Sequence, residues 1–280
     1  MKCNKKTTTL LGIFFFFLLL STQSQGATEL IIQPSRFELL LSPGKAETQA
    51  ITIKNNGSEA VRIGVDVRDW EMDEEGNPLF TLPGQSYTSC AHWLRFNPKL
   101  FQLAPGKEQI VRFSINAPSQ IPAGEHRCAI LFASEPAEAE STLTMVSNIL
   151  VTIYGYSQPV SRRGSVEEVL VKYEPKSGLE LRCKINSTGN SHLRINGRFK
   201  ILDQNNTVHG EGKYIGSVVF PGKTRFLTGH LPLKLPPGAY QVESEFLFIP
   251  PLYAGDLLEY EQNEEPTGFK NVVAFTIFAE

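Results

Sequence analysis

Apolar and polar side chains alternate along much of the chain. Val61, Ile63, Val65 and Val67 interleave with Arg62, Gly64, Asp66 and Arg68. Leu179, Leu181, Cys183 and Ile185 interleave with Glu180, Arg182 and Lys184. Tyr240, Val242, Ser244, Phe246 and Phe248 keep the same spacing near the end. A period of two is the mark of a strand with one face buried. Between such runs lie turn clusters: NNGS at 55–58, DEEGNP at 73–78, NSTGNS at 186–191 and several Pro-Gly pairs. Beyond the first residues no stretch keeps a 3.6-residue apolar period. The pattern predicts an all-β protein built of sandwiches.

The two halves echo each other. Asn55-Asn56-Gly57 precedes Pro105-Gly106-Lys107 and then Pro122-Ala123-Gly124-Glu125-His126. Asn186-Ser187-Thr188-Gly189 precedes Pro221-Gly222-Lys223 and then Pro237-Gly238-Ala239-Tyr240. Two copies of one sandwich topology account for this. Tyr240, just after a glycine at a strand start, is either the tyrosine corner of an immunoglobulin-like domain or a plain core tyrosine. Alternation stops at YSQPVSRRGS (156–165), the composition of a domain junction. The expected units are therefore 28–157 and 158–280, two immunoglobulin-like sandwiches in tandem.

The first 27 residues change the picture of where the protein works. Lys2, Lys5 and Lys6 precede the apolar run Leu10–Leu20, and STQSQGA follows with small residues. A run of this length is too short to span a bilayer, so the segment reads as a cleaved secretory signal. No later segment resembles a membrane span. The signal carries three lysines and no acid, so its removal takes the formal charge from −2 to −5. That mild acidity argues against nucleic acid as a partner. Cys90, Cys128 and Cys183 remain. Cys90 and Cys128 fall in the same half and are taken as a disulfide pair; the alternative is three buried free thiols.

The order Trp93-Leu94, Pro98, Leu103-x-Pro105-Gly106, Gln109-x-Val111-Arg112-Phe113, then Pro122-x-Gly124-Glu125, resembles the amino-terminal domain of PapD-like periplasmic chaperones. IIQPSRFELLLSPG (31–44) and ITIKNNGSEAVRIGVDVRDW (51–70) agree with it. The residues also have a plain physical reading. Pro98 and Pro105 suit an edge strand or a crossover between sheets, and Gly106 suits a positive φ. Val111, Phe113 and Ile115 should share a buried face, and Trp70 and Trp93 should fill the space between sheets.

The resemblance implies a protein that binds an exported subunit by lending it a strand, the last of the first domain. It further implies a basic pair in the cleft between domains that holds the subunit's terminal carboxylate. Arg36 matches the first-strand arginine of that pair, and is otherwise a solvated strand-edge charge. The partner lysine is missing: in LTMVSNILVTIYGY (143–156), aligned on Tyr154, its place is taken by Val151. The arginine expected after the tyrosine is Gly155. Leu143 and Met145 fall on one face and Val146 and Leu150 on the other, with Ser147 and Asn148 between. Arg36, Leu143, Met145, Leu150 and Val151 are the expected subunit-binding residues.

No chemistry competes with this. His92, His126, His192, His209 and His230 show no compact metal spacing, although His92 and His126 each lie two residues from a cysteine. GSVVFPGKT (216–224) has five residues between its glycines where a phosphate loop needs four, and no helix follows. There is no G-x-S-x-G, and no carboxylate pair in a setting for acid–base work. Neither enzyme activity nor a metal or cofactor is expected. EPAEAE (135–140) and DLLEYEQNEE (256–265) read as exposed loops, solvated or in contact with a partner. Three glycosylation sequons, at Asn56, Asn186 and Asn205, sit at turns and matter only in a eukaryotic source. The expected partner is a pilin-like exported subunit or another envelope protein, in the periplasm. The alternative is a structural or adhesive envelope protein with no client.

Overall fold

The computed structural model describes residues 29–136, 147–216, 218–249 and 268–278. The leader, Leu143, Met145, residues 137–140 and all of 256–265 lie outside the described residues, while Glu135 and Pro136, read as loop, end a strand. Every regular element among the described residues is a strand, apart from a single 3₁₀ turn at Ala91–Trp93.

The first unit holds β1 (Leu30–Gln33), β2 (Arg36–Leu40), β3 (Ala46–Asn55), β4 (Val61–Met72) and β5 (Pro78–Thr81). It continues with β6 (Leu94–Asn97), β7 (Leu100–Leu103), β8 (Glu108–Asn116), β9 (Gly124–Pro136) and β10 (Ser147–Ser157). One sheet has the order β1-β3-β8-β6; the other runs β2-β10-β9-β4-β5, with β7 also on β4. The segment bracketed by Pro98 and Pro105 is a crossover, and so is the one at Pro34. The chain leaves the first sheet at Pro34 and enters the second as β2, and does so again at Pro98 between β6 and β7. A residue without an N–H suits a strand end that must leave its ladder.

The alternating residues close the core between these sheets. Val61, Ile63 and Val65 of β4 face Ile51 and Ile53 of β3 and Val111, Phe113 and Ile115 of β8, all buried. Each such aliphatic side chain contributes roughly 1.5–3 kcal/mol on full burial. Of the two tryptophans only Trp93 packs against this core. Trp93 is only half-buried at its rim, and Trp70 lies outside it, against Tyr154 and Phe220. The reason is a twist in β4: after Val67 its alternation breaks, Asp69 and Trp70 are both buried, and the strand leaves β9 to pair β5.

The second unit holds β11 (Gly164–Glu174), β12 (Gly178–Ser187), β13 (Leu193–Asp203), β14 (Val208–Ile215), β15 (Val218–Val219), β16 (Thr224–Leu231), β17 (Gly238–Phe248) and β18 (Gly268–Ile277). The order is β11-β12-β16-β14-β13-β17-β18, with β15 on β13. β14 turns the corner: it pairs β13 over most of its length and β16 through Tyr214 and Ile215. Leu179, Leu181, Cys183 and Ile185 then pack against Ile195, Phe199, Val242 and Phe246. The chain is thus all-β, with two β-sheet units resembling immunoglobulin-like sandwiches.

The echo between halves is physical. Gly106 N donates to Asn55 O (2.8 Å) and Asn55 N to Lys107 O (3.0 Å). Gly222 N donates to Ser187 O (3.0 Å) and Ser187 N to Lys223 O (3.0 Å). In both copies a Pro-Gly turn with positive φ at the glycine (70° and 67°) closes on the Asn-rich turn. Tyr240 O–H donates to Pro236 O at 2.9 Å, the upstream backbone bond of a tyrosine corner.

Candidate functional site

β2 covers only part of the edge of β10. The two strands run parallel, with Arg36–Leu40 opposite Thr152–Tyr156. β10 begins at Ser147 and is paired to β9 along its whole length on its other side. On the β2 side, no strand among the described residues pairs with residues 147–151. Which backbone groups this exposes follows from the bonds below. Thr152 N donates to Ser35 O (3.1 Å), and Tyr156 O accepts from Leu41 N (2.8 Å). Even-numbered residues of β10 therefore turn their N–H and C=O toward β2, so Asn148 and Leu150 present theirs to the open edge.

Arg36 stands where that edge begins, opposite Thr152. Its Nε holds Glu38 Oε1 at 3.0 Å, and its side chain is 36% exposed against 2% for Glu38. Arg194 of β13 reaches the same Oε1 from the second unit (3.4 Å), while Glu38 Oε2 is buried without a hydrogen bond. Two guanidinium groups thus share one buried carboxylate, leaving an excess positive charge beside the free edge of β10.

The other expected side chains lie elsewhere. Val151 is fully buried in the first core, so it cannot reach a partner through its side chain. Leu150 points the opposite way and packs against the cluster of Trp70, Ala129, Tyr154, Tyr156, Val218 and Phe220. The free stretch is also shorter than the expected strand, 143–156, because β2 already occupies Thr152–Tyr156. Cys90 and Cys128 are brought together, their sulfurs 3.1 Å apart. His126 bonds Pro122 O and packs on Trp93. Among the described residues no group of three or more His, Cys, Asp or Glu side chains is placed to hold a metal, and no helix is long and apolar enough to cross a membrane.

Behind the edge, the two units are joined by a buried polar cluster that spacing did not reveal. Glu125 Oε2 accepts from His192 N (2.9 Å) and lies 2.6 Å from His192 Nδ1. Arg127 Nη1 is 3.3 Å from Glu125 Oε1. The Arg127 guanidinium also lies 4.0 Å over the ring of Phe220. Burial alone would raise the Glu125 carboxyl, but the charge and hydrogen bonds of His192, then Arg127, outweigh it and hold the group at about 2. An ionised carboxylate only accepts, so His192 Nδ1 donates to it. Gly124 makes the approach possible: its φ is +118°, and a Cβ there would lie 2.6 Å from Asn190 O. Glu125 and His192 are 67 residues apart and Glu38 and Arg194 are 156 apart, so no local pattern announces either pair.

The β4–β5 turn makes a second junction. Phe226 N donates to Glu74 O (2.8 Å), Thr224 Oγ1 to Glu74 Oε1 (2.6 Å), and Arg182 pairs with Glu75. The acidic turn 73–78 is therefore a clasp on β12 and β16, not a free loop.

No protein-family model matches this sequence, and the search of curated proteins finds no match. Among solved structures, the chain is similar to the class 5 fimbriae chaperone CfaA, at 12% identity over 87% of this chain and 98% of that one, with a TM-score of 0.47. It is similar to the YadV chaperone at 7% identity over 88% and 99%, TM-score 0.47. The CupB2 chaperone of Pseudomonas aeruginosa aligns at 10% identity over 88% and 100%, TM-score 0.45.

Proposed function

We propose that this protein is an exported, periplasmic chaperone-like protein that holds an unassembled envelope subunit by strand addition along residues 147–151 of β10. The observation that carries this is the half-covered edge: β2 stops at Arg36, and Asn148 and Leu150 beyond it offer backbone donors and acceptors to another chain. Added strands gain affinity from main-chain hydrogen bonds, so the burial of Val151 does not prevent it.

The added strand is taken to run parallel to β10, as β2 does. A strand lying above β2 in the same column, and parallel to β10, runs toward Arg36 and ends beside it. Its terminal carboxylate meets Arg36, whose Nη groups supply charge-assisted hydrogen bonds of about 1.5–3 kcal/mol. Arg194 takes part through Glu38, supplying positive charge where the resemblance leads one to expect a lysine. The two units are clamped together by the Glu125 cluster and the β4–β5 clasp, which fixes this corner in shape.

The test is affinity purification of the mature protein from its native envelope, with partners identified by mass spectrometry. A stoichiometric β-rich subunit, retained by the wild type and lost from Arg36→Ala, supports the reading. Retention unchanged in Arg36→Ala removes that residue from the mechanism. A clean monomer would favour the envelope sandwich protein without a client.

A further inference from the structure

The segment between β5 and β6 fills a gap in the second sheet. β4 leaves β9 after the Arg68–Ala129 pair, and residues 88–90 take its place. Arg127 N donates to Thr88 O (2.7 Å), Cys90 N to Arg127 O (3.3 Å), and Ser89 forms a parallel bridge with Arg127. Asp69, fully buried, grips the segment from the other side, accepting from Ser86 N (2.8 Å) and Ser89 Oγ (2.5 Å). Within this frame Cys90 and Cys128 are both 0% exposed, their sulfurs 3.1 Å apart. Cys128 directly follows Arg127, the residue that braces Glu125 at the junction of the two units.

We propose that Cys90 and Cys128 are an oxidative modification site: they form a disulfide that fastens the 82–93 segment to β9 and so fixes the backbone behind Arg127. The oxidant is a disulfide, either a protein carrier or glutathione disulfide. The Cys90 thiolate attacks one of its sulfurs, releasing one thiol and leaving a mixed disulfide. The Cys128 thiolate then attacks the Cys90 sulfur and releases the second thiol. Two electrons and two protons pass from the cysteine pair to the carrier. Both thiols are sealed from water in the finished fold, so exchange takes place while the chain folds, before the sheets close. Cys183 lies buried in the other core, with no second cysteine beside it among the described residues, and serves as an internal control.

The full chain is refolded in a glutathione redox buffer, denatured without reductant, alkylated and digested. The expected result is a linked peptide carrying Cys90 and Cys128, two hydrogens lighter than its reduced parts, with Cys183 alkylated. Cys90 and Cys128 alkylated as fully as Cys183 would overturn the proposal. Reduction should lower Tm on the order of 10 °C for a loop of this length. It should leave the Cys90→Ala/Cys128→Ala variant unmoved; an equal shift in both overturns a role for this bond. Hydrogen exchange of the Cys90 and Arg127 amides should be quicker in wild-type protein refolded under reductant than in protein refolded in the glutathione buffer. Unchanged exchange overturns the claim that the bond fixes this backbone.

Discussion

Glu125 Oε2 lies 2.6 Å from His192 Nδ1, with the Glu125 side chain 0% and the His192 side chain 2% exposed. This pair sets how the two units meet. A carboxylate withdrawn from water is tolerated because both its oxygens are bonded, to His192 and Ser191 on one side and Arg127 on the other. Replacing Glu125 takes the carboxylate from His192 and leaves the buried Arg127 with only Glu71, 3.6 Å away, as a charged partner among the described residues. Glu125→Gln, which keeps the shape and removes the charge, should cost about 3–5 kcal/mol. Urea denaturation would measure it. A cost below 1 kcal/mol would mean that the cluster is neutral packing.

The same pair gives acid sensitivity a definite sign. The folded Glu125 carboxyl sits at about 2, below the ordinary value of about 4.3 in an unfolded chain. A depressed carboxylate contributes its full stability above the unfolded pKa and loses it as pH falls toward the folded one. Stability should therefore fall between about pH 4.5 and pH 2. Glu71 is shifted in the same direction, since Ser86 and Lys223 outweigh its burial, and so adds to this window. Urea midpoints at a series of pH values would show it. The slope should be shallower in Glu125→Gln, and an unchanged slope would assign the acid sensitivity to other carboxylates.

The open edge predicts separable effects on binding and folding. The Asn148 N–H faces away from β9, and its side chain is exposed. Asn148→Pro removes one donor from the edge without breaking the β9 ladder. Client retention should drop several-fold while Tm changes little. Retention equal to wild type would move the contact off this edge. A large fall in Tm would show that the edge is part of the fold instead.

Much of this architecture was legible because strands are written with a local code. Val61, Ile63 and Val65, or Leu179, Leu181 and Ile185, state their buried face in a few residues, and the Pro-Gly-Lys turns mark both copies of the echo. Pro98 and Pro105 announced an edge or a crossover, and they bracket β7, where the chain passes from the first sheet to the second and back. The site was legible only in part. Arg36 could be placed on β2, but not the Glu38 carboxylate it shares with Arg194 across the chain. Trp70 was assigned to the wrong space for a related reason. A buried tryptophan looks the same in sequence whether it fills a sandwich or an interface, and here Phe220 of the second unit is what it meets.

Tyr240 offers the simplest control on the second unit. Its hydroxyl donates to Pro236 O at 2.9 Å, and its ring stacks on Phe275 and meets His209 edge-on. Tyr240→Phe keeps both ring contacts and deletes the corner bond alone. The loss should be about 0.5–1.5 kcal/mol, the net worth of one hydrogen bond. Because Tyr240 lies on β17, far in sequence and packing from β10, client retention by the variant should equal that of the wild type. A stability loss together with lost retention would show that the two units act as one body in binding. Stability lost with retention kept would confine the binding surface to the first unit and its junction at Arg194.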